Sequence, residues 1–76
     1  MEKIMETFGK RLKELRTQKH KTRVEMAEPL ECTDRHYQRM EYGYVNVPSL
    51  TLLALADYFH VTTDYLLGRE DTHDHH

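Results

Sequence analysis

Cysteine is almost absent from this chain of 76 residues, tryptophan is missing, and no long apolar run occurs. The single cysteine, Cys32, cannot form an internal disulfide bond, so we expect an intracellular protein that folds without covalent cross-links. No apolar stretch approaches the roughly 20 residues that span a bilayer, and the amino terminus lacks the apolar run of a signal peptide. The sequence therefore predicts a cytoplasmic protein without a membrane segment.

Glycine and proline are also few, with three and two residues respectively. This excludes a fibrous composition, and the balance of charged and apolar residues excludes a disordered one. A domain of this size buries only about 60% of the surface that its unfolded chain exposes, so one core must hold most apolar side chains. We therefore expect one binding domain and no enzyme, because neither an activated serine nor a phosphate-cradling glycine loop is evident.

Positive charge is concentrated at one end of the chain. The net charge is −2 overall, but it is +4 for residues 1–22, −2 for residues 23–42 and −4 for residues 43–76. This asymmetry permits a basic surface even though the net charge of the whole chain is negative. An anionic partner responds to the charge of the surface that it contacts rather than to the net charge of the chain.

Apolar spacing predicts a first helix that runs to about Lys19. Its apolar stripe recurs at intervals of three and four residues and consists of Ile4, Phe8, Leu12 and Leu15. Gly9 lies inside this helix and costs about 1 kcal/mol relative to alanine. Either close packing compensates for this cost or the helix is locally weak.

Two short helices with a tight connection are predicted next. Thr22 and Glu25 form a capping-box pattern at the start of the second helix, and Pro29 predicts that this helix ends near Leu30. Thr33 is a good cap for a third helix. Two short helices joined so closely cross steeply, which is the geometry of a helix-turn-helix.

The third helix is predicted to have an apolar side and a hydrogen-bonding side. Tyr37 and Met40 can reach the core, because they are three residues apart on one side. The opposite side has two guanidinium groups, an amide and a phenol, and no carboxylate. Its members are Arg35, Gln38, Arg39 and Tyr42.

Two further helices and a tail complete the predicted chain. The third helix stops at Gly43, a fourth helix begins at Ser49, and Thr62 caps a fifth helix closed by Gly68. The inward stripe of the fourth helix is predicted to be Leu52, Leu53, Ala56 and Phe59, with Leu50 and Leu55 on its flanks. Residues 1–68 should form the domain and residues 69–76 a flexible charged tail. Its histidines, His73, His75 and His76, lack the spacing of a metal site, so no metal or cofactor is predicted.

Three segments in this order, FGKRLKELR, TRVEMAEPLECTDRHYQRMEYG and LLALADYFHVTTDYLLGR, resemble the phage Cro and repressor type of helix-turn-helix domain, the XRE family. The resemblance covers residues 8–69. It implies an all-α fold, a compact five-helix bundle of the lambda-repressor kind. It also implies sequence-specific binding to double-stranded operator DNA.

The resemblance assigns structural roles as well. In relatives, the residues at the positions of Arg16 and Glu41 commonly form a partly buried ion pair between the first and third helices. Cys32 takes the position of a small apolar residue and is expected to be a buried thiol. Relatives usually carry glycine at the positions of Glu31 and His60, where a left-handed side chain costs roughly 1 kcal/mol. We therefore expect either strain or a different backbone there.

The positions where relatives touch DNA are occupied by Thr33, Asp34, Arg35 and Arg39, with Arg23 beside them. Arg35 and Arg39 suit bidentate contact with guanine, and Gln38 can pair with adenine. Asp34 can accept from cytosine, cap the helix dipole or hold Arg35 in place. The candidates for phosphate contact are Arg23, Tyr42 and Tyr44.

These features favour a transcriptional regulator, most simply a repressor that acts as a homodimer on a pseudo-palindromic operator with half-sites about 34 Å apart. The candidate dimer surface is Leu50, Leu55, Tyr65 and Leu66. Two alternatives remain open at this point. One is an antitoxin that binds a toxin and represses its own operon, and the other is a protein-interaction module that does not bind DNA.

Overall fold

The computed structural model describes residues 5–69. Within this range the chain forms five α-helices and no strand, which confirms the predicted fold class. The helices are α1 (Glu6–Gln18), α2 (Arg23–Ala27), α3 (Asp34–Tyr42), α4 (Ser49–Phe59) and α5 (Thr63–Leu67). Ile4 of the predicted apolar stripe and the histidine cluster of His73, His75 and His76 lie outside the described residues.

Threonine side chains begin three of the helices, as the sequence predicts. Thr22, Thr33 and Thr62 each accept a hydrogen bond from the backbone N–H three residues later. The predicted capping box at the start of α2 is complete, because the Thr22 N–H also donates to Glu25 Oε1 at 2.8 Å. This hydrogen bond holds the pKa of Glu25 below its usual value.

Helix α2 ends earlier than predicted. Its last helical residue is Ala27 rather than Leu30. Pro29 has no N–H to continue the α-helical pattern, and the Leu30 N–H donates instead to the Ala27 carbonyl, three residues back, at 3.2 Å. The chain therefore leaves α2 in tight turns that lead to the cap of α3.

One core joins all five helices. Tyr37 and Met40 belong to it, as predicted, with 0% and 1% of their surface exposed. The other buried apolar residues are Phe8, Leu12, Leu15, Met26, Ala27, Val47, Leu55, Ala56, Phe59, Val61, Tyr65 and Leu66.

The predicted inward stripe of α4 was partly wrong. Leu55 is buried, with 1% exposure, whereas Leu53 is 51% exposed. Both leucines are at helical spacing from Phe59 or Ala56, so the apolar pattern alone could not choose between them. Packing against the rest of the bundle turns the Leu55 side of α4 inward.

Among residues 5–69, three residues other than glycine have left-handed backbones. Glu31 and His60 have φ angles of 56°, as the substitution of glycine in the family pattern suggested, and His20 has a φ angle of 58° that was not predicted. His60 ends α4, and its backbone N–H donates to the carbonyls of Ala56 and Asp57. Glu31 and His60 therefore adopt the left-handed backbone with its steric strain, and the backbone does not change to avoid it.

Replacing His60 by glycine should stabilise the domain. Glycine has no Cβ to clash in the left-handed region, and the His60 side chain is exposed, so we expect a gain of about 0.5–1 kcal/mol in the free energy of unfolding. Urea unfolding followed by circular dichroism would measure it. The control is Ala54→Gly at an exposed position inside α4, which should lose about 1 kcal/mol. A loss of stability in His60→Gly would contradict the argument.

Helices α1 and α3 approach closely at Gly9. A Cβ atom added to Gly9 would lie 2.2 Å from the Glu41 carbonyl oxygen and 3.0 Å from the Gly43 backbone nitrogen. Gly43 itself ends α3 with a φ angle of 79°. Close packing thus compensates for glycine inside α1, and the same contact fixes the end of α3.

Candidate nucleic-acid interface

A buried ion pair anchors the end of α3 to α1. The Arg16 guanidinium binds both carboxylate oxygens of Glu41, with Nη2 3.2 Å from Oε1, and the Glu41 side chain is fully buried. Arg16 Nη1 also donates to the Lys21 carbonyl at 2.8 Å. The hydrogen bond to Glu41 raises the pKa of Arg16, so this cation stays charged at any physiological pH.

A second guanidinium reaches the same carboxylate from α2. Arg23 Nε lies 3.2 Å from Glu41 Oε1, and the Arg23 side chain is 32% exposed. Its guanidinium carbon is 6.0 Å from the centre of the Tyr42 ring. Arg23, a predicted phosphate contact, therefore also joins the start of α2 to the end of α3. No sequence pattern indicates this pair, because 18 residues separate the partners.

Tyr37, on the inward side of α3, is buried near this ion cluster. Its burial, with the negative charge of Glu41 as a further cause, raises the pKa of Tyr37. The phenol therefore stays neutral beside the buried carboxylate. Helix α3 is therefore anchored in the core by its own Tyr37 and, near its end, by the two cations that bind Glu41.

The first turn of α3 presents its predicted contact residues to solvent. Asp34 and Arg35 are exposed, and so is Thr33, whose hydroxyl accepts from the His36 N–H at 3.0 Å as the helix cap. The carboxylate of Asp34 also lies where the helix dipole favours negative charge. Arg35 thus stands on the exposed first turn of a capped helix.

The second half of α3 is more enclosed. Gln38 and Arg39 are half-buried, and Tyr42 is 43% exposed. Gln38 Nε2 donates to the Tyr42 hydroxyl at 3.0 Å, an interaction across one helical turn. The Tyr42 ring meets half-buried Tyr44 edge to face, with centroids 5.8 Å apart. The structure therefore brings Gln38, Tyr42 and Tyr44 into one contiguous group.

A polar groove of about 390 Å³ runs between the start of α2 and α3. Four predicted site residues line it together with three residues that were not predicted for the site, of which Thr22 was predicted only as a helix cap. It is lined by Arg16, Lys21, Thr22, Arg23, Val24, Asp34 and Gln38. Lys21 could have been found from the sequence, because a basic residue next to a helix cap adds to the positive end of the helix dipole. Val24, which is 57% exposed, had no such signal.

Cys32 and the other metal-type ligands form no site within residues 5–69. The described residues contain no group of three or more His, Cys, Asp or Glu side chains arranged for a metal ion. Cys32 is half-buried rather than fully buried, and burial raises the pKa of its thiol. Across the same residues, every helix is too short or too polar to traverse a bilayer.

Three of the four residues predicted for a dimer surface are in the core. Leu55, Tyr65 and Leu66 have 1%, 9% and 0% of their surface exposed, so they offer little surface to a second chain. Helix α4 is oriented with Leu55 toward the core. Helix α5, which carries Tyr65 and Leu66, packs against α1. Leu50, in contrast, is 81% exposed.

Comparison with known proteins agrees with this architecture. A family model described as helix-turn-helix matches residues 12–66. The HTH-type transcriptional regulator ImmR of Bacillus subtilis (strain 168) is 38% identical over 65 residues, which make up 86% of this chain and 51% of the relative. The chain thus spans about half the length of that relative. It belongs to the helix-turn-helix family, in its XRE type, which is a family of DNA-binding domains and not of enzymes.

Proposed function

We propose that this protein is a transcriptional regulator that binds specific DNA sequences with α3 as its recognition helix. The observation that carries the proposal is the exposed first turn of α3, where Arg35 projects from a helix fixed by Glu41 at its other end. An α-helix fits the major groove, and the amino-terminal residues of a recognition helix contact base edges there. The relative ImmR, named as a transcriptional regulator, supports the same function.

Arginines provide the direct readout in this proposal. Arg35 and Arg39 are one helical turn apart, about 6 Å along the axis at 1.5 Å per residue. A guanidinium presents two parallel N–H donors that match guanine O6 and N7. Asp34, exposed beside Arg35, can accept from cytosine N4. The face therefore favours sites rich in G·C pairs at the first turn of α3.

Contacts to the DNA backbone come from the groove beside α2. Lys21 and Arg23 line it, and both lie at the amino-terminal end of α2. Cations there fix the register of α3 without reading sequence. Because Arg23 also pairs with Glu41, its contact to a phosphate would hold α2 and α3 together on the DNA.

The regulator acts as a homodimeric repressor in this proposal. One recognition helix covers only part of a turn of the groove, so useful affinity calls for two copies on a pseudo-palindrome with half-sites about 34 Å apart. Binding in the path of RNA polymerase would repress transcription, and a reporter gene placed behind the selected operator would test the direction of regulation.

Arg35→Ala is the variant that tests direct readout, and Arg39→Ala tests the next turn. Selection of bound fragments from random DNA at a stated salt concentration first defines the operator. Each variant should then bind the operator about 1–3 kcal/mol more weakly, with relaxed base preference at one position. Fluorescence anisotropy on operator and random duplexes would measure both effects.

The charge-matched control is Lys10→Ala on α1, where Lys10 makes an exposed pair with Glu6. It removes one positive charge and should leave base preference unchanged. If Arg35→Ala lost affinity equally on operator and random DNA, its role would be electrostatic and the assignment of direct readout would be wrong.

A further inference from the structure

The side chain of Tyr42, the last residue of α3, is held by two neighbouring side chains. The Arg23 guanidinium carbon lies 6.0 Å from the centre of the Tyr42 ring, and the Tyr44 ring meets it edge to face with centroids 5.8 Å apart. Arg23 is itself fixed, because its Nε lies 3.2 Å from Oε1 of buried Glu41. Although 43% of the surface of Tyr42 is exposed, its ring therefore has a defined position.

This ring presents its hydroxyl to Gln38, one helical turn earlier. Gln38 Nε2 donates to the Tyr42 hydroxyl at 3.0 Å. On an isolated helix a polar pair at this spacing changes an equilibrium only about twofold, which is too little to hold a glutamine in one rotamer. Here Gln38 is also half-buried, lines the groove between α2 and α3, and bonds to a ring that is already held. The Gln38 amide is therefore oriented in the free protein.

We propose that Tyr42 is a positioning residue that holds the Gln38 amide for reading an adenine. A glutamine amide has two N–H donors and one carbonyl oxygen. The bond to Tyr42 uses one N–H, and the second N–H and Oε1 remain to match N7 and N6–H of adenine in the major groove. Gln38 contacts the base and Tyr42 acts through it. The inference rests on the proposed function, because it requires α3 to lie in the groove.

The competing role for the Tyr42 hydroxyl is the phosphate contact that the sequence predicted. A phosphate contact fixes register without reading sequence, so it would contribute equally on every DNA. Positioning of Gln38 contributes only where the DNA presents the matching adenine. The hydrogen bond between these two side chains in the free protein favours the positioning role. Base preference at one position therefore distinguishes the two roles.

Tyr42→Phe tests the proposal, because it keeps the ring and removes only the hydroxyl. Ordering a free glutamine on binding lowers affinity about two- to tenfold. We therefore expect Tyr42→Phe to bind the operator selected by the wild type about two- to tenfold more weakly, and random DNA as the wild type does. Selection from random fragments should show a weakened adenine preference at one position. Fluorescence anisotropy on both duplexes would measure the affinities, and circular dichroism would verify folding.

Gln38→Ala and the double variant show whether Tyr42 acts through Gln38. Gln38→Ala should abolish the same adenine preference and bind the operator at least about fivefold more weakly. Adding Tyr42→Phe to Gln38→Ala should change the affinity by less than about twofold, because the hydroxyl then has no amide to orient. The control is Tyr58→Phe on α4, which removes a hydroxyl from a residue of similar exposure, 42%, and should leave base preference unchanged.

Three results with these variants would overturn the inference. Equal losses of Tyr42→Phe on operator and random DNA would make Tyr42 a phosphate contact, and losses that multiply in the double variant would make the two residues independent. Unchanged base preference in Tyr42→Phe would show that the hydrogen bond has no part in recognition. A wild-type protein that selects no sequence would refute the proposed function as well. A wild type that selects an operator whose bases are read without Gln38 would refute the inference alone.

Discussion

Gly9→Ala should destabilise the domain by about 1–3 kcal/mol or more, although alanine is the better helix former by about 1 kcal/mol. The added Cβ would lie 2.2 Å from the Glu41 carbonyl oxygen and 2.8 Å from its carbon. Both are backbone atoms, so no side chain can rotate away, and α1 must move from α3. Urea unfolding would measure the change in the free energy of unfolding.

The control for Gly9→Ala is Lys13→Ala on the exposed side of the same helix, where the change should stay within about 0.5 kcal/mol. The displaced α3 should also bind operator DNA more weakly. If Gly9→Ala proved as stable as the wild type or more so, the helices would not be in the close contact described.

Glu41→Gln should cost about 3–5 kcal/mol of unfolding free energy, the largest effect expected of a single side chain here. The substitution keeps the shape of the side chain and removes the charge that two guanidinium groups share. Arg16 is only 11% exposed and would remain a nearly buried, uncompensated cation. Arg23, at 32% exposure, can turn toward solvent more easily. Chemical unfolding at neutral pH would measure the loss.

A double replacement distinguishes the charge from the packing. Arg16→Met combined with Glu41→Leu removes both buried charges while keeping apolar volume, and it should recover most of the loss. Arg23→Ala alone should cost less than Glu41→Gln, because the Arg16 pair persists. A double variant as unstable as Glu41→Gln would mean that shape, and not charge balance, holds α3 in place.

Features encoded in a few neighbouring residues could be predicted from the sequence. The threonines that cap α2, α3 and α5 each act on an N–H three residues away, and Gly43 ends α3 through its own backbone angle. Because these are local effects, their outcome does not depend on the rest of the chain. The five-helix order followed from them.

Features that depend on packing between helices could not be predicted in the same way. Helix α4 has leucines on both sides, so its burial face is chosen by its neighbours, which exposed Leu53 and buried Leu55. The polar outer face of α3 was predicted from helical spacing. The bond from Arg23 to Glu41 was not, because it joins α2 to α3 and long polar side chains select such partners only after the helices meet.

The sharing of Glu41 by cations from α1 and α2 has a thermodynamic consequence for DNA recognition. Helix α3, the proposed recognition helix, is already oriented in the free protein. Little conformational entropy therefore remains to be lost when the domain binds DNA. Affinity should then respond mainly to the chemistry of the contacting side chains, and rigid-body docking should describe how the domain meets the groove.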